Sequence, residues 1–203
     1  MNESSIPDHI TEIDTSVPVW EQFFTVAPLV LIGTRDANGA LDLAPKHMVT
    51  PMGWQNYFGF VCTPRHSTCS NIEQSGVFTV SYPKPSQVLM ASLAASPRAQ
   101  TGDKPVIDYF STFPARQIDG EFVVDGYLYF ECKHFRTIDG FGDNCLITGE
   151  IVAAYADDNS IRHAEGDDQE TIHSSPLFAY LAPGRFAEIS RSNSFPFPES
   201  MKK

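Results

Sequence analysis

The chain is short of positive charge. Its 203 residues carry 14 Lys and Arg against 25 Asp and Glu, a net charge of −11, and the cations form no run or stripe. Nucleic-acid binding is disfavoured, because neutralising a phosphate backbone needs a basic face. Apolar runs are short as well: the longest, near Pro28 to Ile32, falls far below the ~20 residues of a membrane-crossing helix. The opening stretch, MNESSIPDHITEIDTS, is polar and acidic and has neither the basic nor the apolar region of a secretory signal, which points to a cytoplasmic location. Cysteine is scarce and unpatterned. Cys62, Cys69, Cys132 and Cys145 show no CxxC pair and no zinc-like spacing, so each reads as a small buried apolar residue. His134, His163 and His173 share no metal-ligand spacing, and no metal is expected. No internal repeat is present.

What is there suits one domain over residues 1–203, since a chain this long with 42% hydrophobic residues can bury a substantial core. Leu29, Val30, Leu31 and Ile32 form a branched run that suits a strand buried on both faces. Asp36 to Gly39 supplies a turn, with Asn38 and Gly39 both tolerant of positive φ. Residues 41–50 return as a strand interrupted at Pro45, which places that strand at an edge or a bulge and leaves backbone groups of Lys46, His47 and Met48 free. Free backbone donors and acceptors suit a flat heteroaromatic ring with polar edges. Residues 57–63 give the next strand, and Pro64 ends it. Ser67 or Thr68 then caps a helix beginning near Cys69, with Ser70 and Glu73 also at capping-box spacing.

Farther along, residues 76–82 alternate as a strand and residues 86–95 have helical composition up to Pro97. Residues 102–119 read as irregular, with at most a short helical turn. Residues 127–136 and 146–155 are long strands joined by the glycine-rich turn 139–144, so they should form an antiparallel hairpin. Residues 156–171 read as an acidic surface loop, and Pro196 and Pro198 forbid regular structure in the tail 195–203. Six or more short strands with few helices fit a closed or partly closed barrel.

Chemistry concentrates at the helix start. Amides of a first helical turn, with Arg65, His66, Ser67 and Thr68 beside them, make a small anion site suited to one phosphate group. Ser67 and Thr68 read either as phosphate ligands or as plain caps. His47 and His66 read either as partly exposed neutral imidazoles or, for His66, as a phosphate partner whose pKa the anion would raise. Lys46 is either solvated or a positive charge near the cofactor's ring.

The phrases LDLAPKHMVTP, RHSTCSNIEQSGVFTVSY, DGFGDNCLITGEIV and SPLFAYLAPGRFAEI, in this order, resemble the flavin reductase-like, FMN-binding split-barrel family across most of residues 24–190. The resemblance implies a mainly β fold, a split β-barrel of Greek-key type with a few short helices. It implies an FMN-binding oxidoreductase, with NADH or NADPH as donor. Pro45, Lys46, His47 and Met48 would line the isoalloxazine ring and Thr50 would close its polar edge, while Arg65, His66, Ser67, Thr68 and the amide of Asn71 would hold the phosphate. Arg185 would approach the flavin of its own or a partner chain, or else form a surface ion pair. A homodimer with a flavin groove between two barrels is implied, as is a small-molecule redox substrate or an electron acceptor.

Two departures from the family pattern stand out. Gly142-Asp143-Asn144 replaces the usual Gly-Asp-His, so Asn144 becomes the candidate for orienting a nicotinamide, and Lys46-His47 replaces a small hydroxyl residue. The alternative is an FMN-binding electron carrier without direct NAD(P)H turnover. A third reading is a barrel holding another flat ligand, such as pyridoxal phosphate or haem.

Overall fold

Strand β1 (Thr25–Pro28) precedes the run of apolar and aromatic strands that build the core. These are β2 (Val30–Arg35), β3 (Leu41–Lys46), β4 (Val49–Pro51), β5 (Tyr57–Cys62) and β6 (Val77–Tyr82). Helix α1 (Ser67–Ser75) links β5 to β6, and α2 (Val88–Leu93) follows. Then come β7 (Thr112–Pro114), β8 (Glu121–Val123), and the long pair β9 (Leu128–Phe141) and β10 (Asn144–Ala156). Helix α3 (Asp168–Ser174) precedes β11 (Leu177–Ala182) and β12 (Arg185–Ile189). This computed structural model describes residues 6–99, 104–163 and 166–198; the beginning of the amino-terminal arm, residues 102–103 of the irregular stretch and residues 199–203 of the tail lie outside the described residues.

The seven-stranded sheet runs β3-β2-β6-β9-β10-β5-β4, and each of its ladders is antiparallel. Its two edge strands, β3 and β4, are separated in the chain by His47 and Met48 only. A flat sheet cannot satisfy that connection, so the sheet curls until its edges meet, giving a split barrel. The β9–β10 hairpin lies between β5 and β6, which α1 connects across it in Greek-key fashion.

Period two sorts the core. Val30 and Ile32 of β2 point into the barrel with Phe58, Phe60, Phe78 and Ile147, whereas Leu31 points outward onto Leu43, Ala91 and Phe178. Each of the buried rings contributes roughly 1.5–3 kcal/mol on burial. The barrel is tight where they meet: a Cβ on Gly149 would lie 2.6 Å from the Phe78 ring. One charge is buried here as well. Glu131 on β9 is fully buried, yet its carboxylate accepts from the amides of Arg116 (2.9 Å), Gln117 (2.7 Å) and Ile118 (3.0 Å) and from the Tyr155 hydroxyl (2.7 Å). Burial alone would push its pKa up, and these four bonds outweigh burial and hold it below the usual glutamate value.

Several expectations need correcting. The strand predicted over 41–50 is two strands, and the break falls at His47–Met48 instead of at Pro45; β3 is an edge strand, which is why it tolerates the proline. The Met48 carbonyl is not free, since the Val61 amide donates to it at 2.9 Å. In the turn before β3 only Gly39 takes positive φ (83°), and Asp36 holds the loop by accepting from the amides of Asn38 and Ala40. Helix α1 begins at Ser67 with His66 as its cap residue and no side-chain capping bond. Ser70 bonds back to the Ser67 carbonyl, so no capping box forms. The acidic stretch contains the start of α3, capped by the Asp167 carboxylate accepting from the Gln169 amide. Residues 102–119 include a strand, because β7 pairs with β8. A small sheet, β1-β11-β12, was not anticipated as a unit.

Candidate functional site

Pro64 stops β5, and the chain turns through Arg65 and His66 into α1, while Gly76 ends that helix in the left-handed region (φ 72°). The helix start therefore lies beside the inner edge strand β3. A cleft of about 640 Å³ opens there, walled by Asp42, Ala44, Pro45 and Lys46 of β3, by Arg65 to Thr68, and by residues 94–98 after α2 together with Lys104. Four cations, Lys46, Arg65, Arg98 and Lys104, line it against one carboxylate, Asp42. In a chain with 14 cations and 25 acids, that density at a helix N-terminus is an arrangement chemically suited to an anion.

The carboxylate organises the cations. Asp42 is buried; it accepts the Ser67 hydroxyl at 2.8 Å and pairs with Arg98 Nη2 at 3.0 Å and Lys104 Nζ at 3.3 Å. Arg98 Nε also donates to Ser67 Oγ at 3.2 Å. Lys104 donates to the carbonyls of Leu43 (2.6 Å) and Ala94 (2.7 Å), tying the end of α2 to β3. Burial pulls the Lys104 pKa below the usual lysine value, and the Asp42 carboxylate only partly offsets this. Arg65 and His66 are exposed at the mouth. Burial first, then the charges of Lys46 and Arg65, lower the His66 pKa, so its ring is neutral at pH 7 without an anion nearby.

A second cleft of about 400 Å³ continues from the first, sharing Pro45 and Ala95 and adding His47, Tyr180, Arg185 and Phe186. The His47 and Tyr180 rings meet at 4.7 Å, joining the barrel seam to the small sheet. Burial and Lys46 lower the His47 pKa. The β11–β12 turn carrying Arg185 is held by the Gly184 amide donating to the Tyr180 hydroxyl at 2.9 Å.

Of the residues expected at a site, Pro45, Lys46, Arg65, His66, Ser67 and Thr68 meet in the first cleft, and Pro45, His47 and Arg185 in the second. Lys46 is not simply solvated, because its ammonium approaches Cys62 Sγ at 3.5 Å. Four others line neither cleft. Met48 is exposed. The Thr50 hydroxyl bonds to the Pro51 carbonyl, and the side-chain amide Nδ2 of the buried Asn71 donates to Thr34 Oγ1 at 3.0 Å. Asn144 Oδ1 accepts from Thr63 Oγ1 at 3.3 Å, outside both clefts but next to the chain that leads into Arg65. Sequence reasoning missed Asp42, Arg98 and Lys104. They lie on separate segments with no local motif, although an aspartate between two leucines of a strand was a visible anomaly.

Other cavities lack this chemistry. One of about 610 Å³ has Arg116 with Asp125 and Asp157, and one of about 780 Å³ has Arg162 already paired with Asp168. Among the described residues no cluster of His, Cys, Asp or Glu is placed to hold a metal, and no helix is long and apolar enough to cross a membrane.

The family model described as the flavin reductase like domain matches residues 24–177. Among solved structures, the 2-nitrobenzoate 2-nitroreductase of Pseudomonas fluorescens superposes with a TM-score of 0.78 at 20% identity, covering 95% of this chain and 99% of that one. The flavoredoxin of Desulfovibrio vulgaris (Miyazaki F) gives 0.74 at 18% identity, covering 94% and 100%. Nitrilotriacetate monooxygenase component B from Bacillus cereus gives 0.73 at 16% identity, covering 96% and 99%. At these identities the likeness is one of fold. No curated protein matches the chain by sequence.

Proposed function

This chain belongs to the flavin reductase-like family, and on that premise we propose that it is an oxidoreductase that holds FMN with the phosphate in the cationic cleft and the ring toward His47. The observation that carries this reading is the gathering of Lys46, Arg65, Arg98 and Lys104 around the start of α1. The donor set fits a phosphate dianion: amides of a first helical turn, an exposed guanidinium at Arg65 and a neutral His66 able to take up a proton. Bound FMN supplies hydride and electron transfer.

The protein binds, orients and shields. Pro45 and His47 belong to the seam segment along the ring end of the groove, and Arg185 closes that end from the small sheet. No general acid or base is required for hydride transfer, so none of these side chains is assigned one. NADH or NADPH is the proposed donor, and a homodimer is the proposed assembly, supported by apolar side chains left exposed at Val26, Trp54, Phe135, Phe141 and Phe186. Sedimentation should then show a species near twice 22.5 kDa.

The absorption spectrum of the purified protein, followed by titration with FMN and FAD, tests the cofactor. FMN should bind more tightly, and an equal or greater affinity for FAD would count against the cleft as a monoester site. A second reading, an FMN electron carrier without direct NAD(P)H turnover, is favoured by Asn144, which bonds to Thr63 and lines neither cleft. Stopped-flow mixing with NADH and NADPH separates the two.

A further inference from the structure

The cleft contains an anion of its own, and its effect on the ligand can be worked out from proton counting. A serine hydroxyl has one proton to donate. Ser67 gives it to Asp42 at 2.8 Å and receives Arg98 Nε at 3.2 Å, so in this arrangement Ser67 has none for a phosphate. Arg98 is fixed at two atoms, Nε on Ser67 and Nη2 on Asp42, and two fixed nitrogens set the plane of a rigid guanidinium. The plane is held from a buried strand position: Asp42 has 3% of its side chain exposed, whereas Arg98 has 28% and lines the cleft. Lys104, with 8% exposed, compensates the same carboxylate from below while bonding to two carbonyls.

We propose that Asp42 is a positioning residue for ligand recognition: it fixes the Arg98 guanidinium across the start of α1, so that a phosphomonoester is recognised through Arg98 and not through the Ser67 hydroxyl. The proposal rests on the FMN reading of the cleft. Its ligand class is a flavin bearing a terminal phosphate, and its discriminating partner is riboflavin, the same ring and ribityl chain without that phosphate. Asp42 contributes no ligand contact; its charge would repel the phosphate if it faced it directly.

The test is the affinity of the ligand-free protein for FMN and for riboflavin, read by flavin fluorescence, in the natural protein, Arg98→Gln, Asp42→Asn and the double variant, with urea unfolding of each as a control. Arg98→Gln should weaken FMN about tenfold and leave riboflavin within about twofold. Asp42→Asn should do the same, and the double variant should bind FMN no more weakly than Arg98→Gln alone, because Asp42 acts through Arg98. Tighter FMN binding by Asp42→Asn, parallel loss of FMN and riboflavin, or additive losses in the double variant would overturn the proposal alone. Equal affinity of the natural protein for FMN and riboflavin would remove the phosphate reading and the proposal with it. If Asp42→Asn does not fold, Arg98→Gln still decides, since an unchanged FMN-to-riboflavin ratio there overturns the assignment.

Discussion

Two buried carboxylates mark two regions of this barrel, and they are neutralised by different means. Glu131, under β7 and β8, is satisfied by three backbone amides and a phenol, groups that cannot leave without unfolding the chain around them. Asp42, at the cleft, is satisfied by a hydroxyl and two cationic side chains, groups that can also face a ligand. Neutral, main-chain compensation builds a joint. Cationic compensation leaves net positive potential behind, and in a chain of net charge −11 that potential exists only where it is built. The first region is therefore structural, and the second is the one we propose recognises charge.

The sharpest way to break this contrast is Glu131→Gln. The amide would turn an NH2 toward main-chain donors, so unfolding free energy should drop by about 3 kcal/mol in urea titrations, while FMN affinity of the folded fraction stays unchanged. The sign with pH follows from the low Glu131 pKa: its contribution is complete above the unfolded glutamate value and is lost as pH falls through the lower folded value. The variant should accordingly lose less stability on acidification than the natural protein. A shift in flavin affinity in Glu131→Gln would erase the distinction between the regions.

Arg65→Ala should do the converse. Arg65 is exposed at the cleft, so stability should hold within about 0.5 kcal/mol. FMN affinity should fall about tenfold through loss of a charge-assisted bond.

The pattern of what the sequence disclosed follows the same division. The turn at Asp36 to Gly39, the edge position of Pro45 and the stop at Pro64 were legible because each depends on a residue's own φ range or missing amide. The RHST turn was legible as a helix start for the same local reason. The role of Ser67 was not, since its proton is claimed by Asp42, which belongs to a strand on the far side of the turn. Arg98 and Lys104 follow α2, which is seated by Ala91 and, just past its end, Ala94 in one buried cluster with Leu31 and Leu43. The pairing of β1 with β11, from opposite ends of the chain, leaves no periodic trace at either end.

A smaller effect refines the cationic region. The ligand-free His66 is neutral at pH 7 because burial and two neighbouring cations lower its pKa, and a bound dianion should raise it. FMN binding should then take up a proton, and affinity should strengthen about threefold between pH 8 and the histidine range. A phosphomonoester protonates itself near pH 6, so the quantity to measure is the difference between the natural protein and His66→Gln. Identical pH profiles would remove His66 from the phosphate contacts.

The smallest expected effect concerns Asn144. Asn144→His replaces a neutral amide with a ring that donates from either nitrogen, and NAD(P)H oxidation should rise about threefold, roughly 0.6 kcal/mol, with FMN affinity unaltered. Rapid turnover by the natural protein, with no response to the substitution, would leave the electron-carrier reading without its main support.

The four thiols offer a clock for the two regions. All are buried, and three converge near the cleft: Cys69 and Cys145 place their sulfurs 3.9 Å apart, and Cys145 Sγ bonds to the Cys62 carbonyl at 3.3 Å. Cys132 sits apart from them on β9, next to Glu131 in the chain. Burial pushes the Cys69 pKa up to about 12 and raises that of Cys132 too, so neither is reactive while folded. Alkylation must wait for the chain to open. Modification of Cys69 and Cys145 times local fraying at the start of α1, and modification of Cys132 times the parting of β9 from its neighbours, which requires the whole barrel to come undone. A ligand seated at α1 would slow the first clock without touching the second.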